Sequence, residues 1–62
     1  MSNKIQKAMK ALSEAMNEDE DYARSWHSNI SVQMQDSGCD REVANEGASR
    51  FMKLAFNVNV KA

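Results

Sequence analysis

No proline interrupts this chain, and glycine occurs only at positions 38 and 47. A backbone with so few breakers has few places to turn. Its plentiful Ala, Met, Glu, Lys and Gln are good helix formers. Gly38 closes the stretch Tyr22 to Ser37, which holds the only Trp, His and Tyr, and a second apolar-periodic stretch, Val43 to Phe56, follows at once. Only the short segment Val58-Asn59-Val60 favours a strand. The expected fold class is therefore all-α: a small helical hairpin over about 19–37 and 41–56, with an additional N-terminal helix over about 3–16.

A chain of 62 residues makes one domain, 1–62, and buries too little surface to be comfortably stable without support. Cys39 is the only cysteine, so no internal disulfide is available, and one thiol with one imidazole is a poor metal cage. No metal or cofactor is expected, and oligomerisation is the favoured support. The net charge of −1 indicates neither a basic nucleic-acid binder nor an acidic tail. No apolar run approaches the ~18 residues of a membrane span, and the Met1 end lacks an apolar signal core. With a lone thiol, a cytoplasmic location is expected. The sequon-like Asn29-Ile30-Ser31 is then a chance match.

Ser2 or Asn3 can cap the first helix, whose apolar residues Ile5, Met9, Leu12 and Met16 form one stripe beside Ala8, Ala11 and Ala15. Lys4, Lys7 and Lys10 lie off that stripe. The polar run Asn17 to Asp21 has two readings. In one, Asp19 caps a new helix and the acids occupy its first turn, where the helix dipole favours them. In the other, a single helix spans about 3–37, since the heptad phase runs on through Asp19, Ala23, Trp26 and Ile30. The break is the preferred reading, because clustered acids repel one another inside a helix. It gives a three-helix bundle; the long helix gives a dimer that covers a bare stripe.

From Tyr22 the expected core stripe is Tyr22, Ala23, Trp26, Ile30 and Met34, ended by a Gly38 C-cap. Asp40 caps the last helix. There Ala44, Gly47 and Ala48 form a small-residue face expected to receive Trp26, with Phe51 stacked below. The hairpin centre is expected at Trp26, Ile30, Ala48, Phe51 and Ala55, and residues 57–62 as a flexible tail or an arm that docks on a neighbour. A homodimer joined by Ile5, Met9, Leu12 and Met16 is expected.

Few residues suggest chemistry. His27 with Cys39 and Asp36 or Asp40 contains the residue types of a nucleophilic site, but two or three short helices offer no pocket that excludes water. His27, next to Trp26, is expected to point outward, and no enzyme activity is expected. Trp26 reads as core rather than as a base-stacking platform. The acids Glu18, Asp19, Glu20 and Asp21 serve capping and solubility, or present charge to a basic surface. Methionines suit either an adaptable core or a partner surface.

The segments Ser25-Trp26-His27-Ser28-Asn29-Ile30 and Ala44-Asn45-Glu46-Gly47-Ala48-Ser49-Arg50-Phe51-Met52 form a pattern: W-H-x-N-I, an acidic-Gly turn, then A-N-x-x-A-x-R-F-M. This pattern resembles one in short tailed-bacteriophage proteins and covers about the last two-thirds of the chain, from Tyr22 onward. The resemblance implies a phage product acting inside a bacterium, where proteins of this size bind and inhibit a host enzyme or defence complex. It carries no functional residue over. The expected function is a non-enzymatic interaction module contacting a bacterial host protein through Glu18, Asp19, Glu20, Asp21, His27 and Arg50. The alternatives are a nucleic-acid-binding accessory protein using Lys4, Lys7, Lys10, Arg24, Arg50 and Lys53, and a minor structural subunit of a phage particle.

Overall fold

The structure, a computed structural model, describes residues 3–60. Ser2, one of the two expected caps of the first helix, and residues 61–62 of the tail lie outside the described residues. Three helices follow one another: α1 (Asn3–Glu18), α2 (Glu20–Asp36) and α3 (Arg41–Phe56). The molecule is all-α, and the break falls on the single residue Asp19. Its extended backbone stops α1, and its carboxylate accepts the amides of Asp21 at 3.0 Å and Tyr22 at 3.2 Å. Two otherwise orphaned donors of α2 are thereby satisfied. The one-helix alternative is excluded, because the extended backbone of Asp19 interrupts the helix there.

α2 ends at Gly38, whose φ of +112° suits glycine. The amides of Gly38 and Cys39 return to the carbonyls of Gln35 and Met34, a Schellman closure. Asp40 then caps α3 by accepting the Val43 amide at 2.9 Å. The short turn lays α3 antiparallel along α2.

The packing departs from the expected stripes. α3 buries the strict four-residue row Ala44, Ala48, Met52 and Phe56, while α2 buries Ala23, His27 and Ser31 against it. These choices rotate Trp26 and Ile30 to a half-buried flank and leave Phe51 exposed. Trp26 does not fill the space at Gly47. It packs on Phe56 at 5.9 Å between ring centroids, and Phe51 meets Phe56 edge-on at 6.1 Å rather than stacking below Trp26. The space at Gly47 is taken by Met34: a Cβ built there would lie 2.5 Å from the Met34 methyl. Around the hub of Met16, Ala23, Met52, Phe56 and Val58 lie Leu12, Trp26, Ile30, Ala55 and Val60. Of the expected centre, Ala48 is fully buried.

Two further corrections follow from the hub. Met16 is buried and Leu12 packs on the core, so the carboxyl half of the α1 stripe holds α1 to its own hairpin. It cannot join two chains. Residues 57–60 are no trailing arm either. Asn57 takes the left-handed conformation at φ 55°, which asparagine tolerates, and turns the chain back so that Val58 is 3% exposed.

Candidate functional site

The seam between α2 and α3 holds the buried polar side chains His27 and Ser31. Their four-residue spacing puts both on the α2 face that meets Asn45 and Ser49, themselves four residues apart on α3. His27 Nε2 lies 3.1 Å from the Asn45 carbonyl oxygen and 2.9 Å from Ser49 Oγ. The Ser49 hydroxyl donates to the Val60 carbonyl at 3.0 Å, so toward His27 it can only accept. Both groups facing Nε2 are then acceptors, and Nε2 carries the proton. Ser31 donates to Asn45 Oδ1 at 2.6 Å and accepts from Gln35 Nε2 at 3.2 Å.

This network ties α2, α3 and the returning tail together, and every described buried side-chain nitrogen or oxygen has a partner. A satisfied network of this kind fixes register. The expectation that His27 points outward as a partner-contact residue is overturned: it is 8% exposed, because α2 turns its Ala23–His27–Ser31 row, not its Trp26 row, toward α3. Cys39 lies in the α2–α3 turn. Among the described residues no group of His, Cys, Asp and Glu is placed to hold a metal ion, and no helix is long and apolar enough to cross a membrane. Beside the network runs an open groove of about 700 Å³ whose rim carries Arg24 and Arg41.

The other contact residues separate into two places. Glu18, Asp19, Glu20 and Asp21 gather at the α1–α2 corner, all exposed. Asp19 is occupied as a cap, and Glu20 pairs with Arg24 at 3.2 Å. Glu20 and Asp21 lie in the first turn of α2, where negative charge is favoured. Glu18 is the last residue of α1, where the dipole disfavours it. Arg50 lies elsewhere, on the outer flank of α3 beside Val43, Glu46 and Gly47. The candidate cations are also scattered. Lys4, Lys7 and Lys10 are on α1, Arg24 is in the ion pair, and Lys53 donates to Asn57 Oδ1.

From sequence Asn45 could fix the hairpin register against Asn29 or Ser25, but both of these are exposed and Asn45 pairs with Ser31 instead; Ser31, Ser49 and the core residue Val58 are not singled out by the sequence. The signals were the four-residue spacings 27–31 and 45–49, and the alternation of Val58 and Val60. No family model, no curated protein and no solved structure matches this chain.

Proposed function

We propose that this chain is a non-enzymatic protein-interaction module, a phage-encoded modulator of a bacterial host protein acting in the host cytoplasm. One observation carries the reading: four consecutive carboxylates stand exposed on a corner held by the Asp19 cap. Such a corner fits a basic patch on another protein, because opposite charge favours the encounter. The histidine supports a non-catalytic role, because both acceptors facing its Nε2 belong to the architecture.

The test is affinity capture from nuclease-treated bacterial lysate, with wild type and Glu20→Gln/Asp21→Asn as baits. These amides keep the Asp19 cap and remove an exposed pair and two first-turn charges, together worth about 1–2 kcal/mol. The wild type is expected to retain one dominant host protein, and the variant to lose it. Retention that depends on nucleic acid would favour the accessory reading instead.

A further inference from the structure

The groove beside the polar seam has a charge opposite to that of the chain. Nine acids outnumber eight bases in the sequence, yet no carboxylate lines the groove and two arginines do. α2 contributes Arg24, Ser28, Ser31 and Gln35, whose spacing of four, three and four places them in one row along the helix. α3 contributes Arg41 and Asn45, four residues apart. Because α3 returns antiparallel from a short turn, Arg41 lies toward the Gln35 end and Arg24 toward the other. From Arg24 to Gln35 the helix rises about 16 Å. An extended peptide covers that span in about five residues.

The hydrogen bonds of the seam decide what the groove offers. Ser31 gives its proton to Asn45 Oδ1 and accepts from Gln35 Nε2. The Asn45 amide nitrogen and the second Gln35 N–H are left as donors with no partner among the described residues. The Arg41 guanidinium is likewise unpaired among the described residues; Asp40 and Glu42 flank it in sequence, and neither forms an ion pair with it. Arg41 is also the first residue of α3, where the helix dipole disfavours a cation that no anion accompanies. A carboxylate suits such a set, since it only accepts and a guanidinium can bind both its oxygens. At the far end Arg24 holds only the exposed Glu20, a weak pair that another carboxylate can join or displace. Between the ends, Val60 and the half-exposed Val32 offer apolar contact.

We infer that this groove binds an extended acidic peptide. One carboxylate sits on Arg41, Asn45 and Gln35, and a second, about four residues away, on Arg24. The aliphatic middle favours a peptide over a nucleic-acid strand. No Phe, Tyr or Trp lines the groove for bases to stack on, and two cations neutralise few phosphates. The surface is opposite in sign to the acidic corner and goes beyond that reading. Its test uses purified chain and a synthetic peptide, so either proposal can fail alone.

The test is a nitrogen–proton NMR titration of the chain with acetyl-Glu-Ser-Val-Ser-Glu-amide. The side-chain N–H signals of Gln35, Arg41 and Asn45 should move and saturate at on the order of millimolar peptide. The same peptide with glutamine in place of both glutamates should leave them still. Arg41→Gln and Arg24→Gln, both at exposed positions, should each weaken binding roughly fivefold with the helical circular dichroism retained. No saturable shift, equal shifts with the glutamine peptide, or arginine variants that bind as tightly as the wild type would each overturn the inference. So would oligothymidylate that moves these signals at lower concentration than the peptide does. Signals that move with protein concentration alone would overturn it too, by placing a second copy in the groove.

Discussion

At the scale of single residues, the histidine is an architectural group. His27 Nε2 bridges a main-chain carbonyl and a serine hydroxyl inside the seam. Its removal takes away the donor those acceptors share and opens a cavity. His27→Ala is therefore expected to lower unfolding free energy by about 2–3 kcal/mol in urea titration. Nitrogen NMR of the neutral ring should find the proton on Nε2; a proton on Nδ1 would contradict the hydrogen bonds to Asn45 and Ser49. Gly47 is the other residue at which a neighbour limits substitution, here through the movable end of Met34. The helix would gain about 1 kcal/mol from Gly47→Ala, but the new methyl meets the end of Met34. In a Met34→Ala background that obstacle is gone, so Gly47→Ala should stabilise by about 1 kcal/mol there and clearly less in the wild type. Equal gains in both backgrounds would show that Met34 does not set the requirement.

At the scale of elements, the segment after α3 acts as part of the core. Val58→Ala should cost about 2 kcal/mol, an effect a flexible tail would not produce. The element boundaries were largely legible in the sequence. α3 begins and ends where Asp40 and the loss of periodicity place it, and α2 is bounded by Asp19 and Gly38. Capping and turn chemistry act locally, so sequence order exposes them. The rotation of each helix about its axis was not legible. It depends on which of two adjacent rows is buried, and both Ala23–His27–Ser31 and Trp26–Ile30 are four-residue rows. The Ala23–His27–Ser31 row is the one buried, which takes His27 into the seam and leaves Phe51 exposed. The acidic corner of the candidate site was legible because its charges are consecutive; the network was not, because its members lie on two helices.

At the scale of the whole molecule, the Cα trace is 34 × 26 × 14 Å, thin for a chain that must bury a core. Few side chains are fully enclosed, and much of the apolar and acidic surface is presented outward. That distribution suits a protein whose business is contact. In the proposed role the acidic corner contacts a host protein, and an attraction between exposed charges must be screened by salt. The most direct measurement is the amount of host protein captured by wild type and by Glu20→Gln/Asp21→Asn as ionic strength is raised. Nuclease-resistant capture by the wild type is expected to fall steadily with salt, with little capture by the variant at any salt. Capture indifferent to both the substitutions and the salt would contradict it.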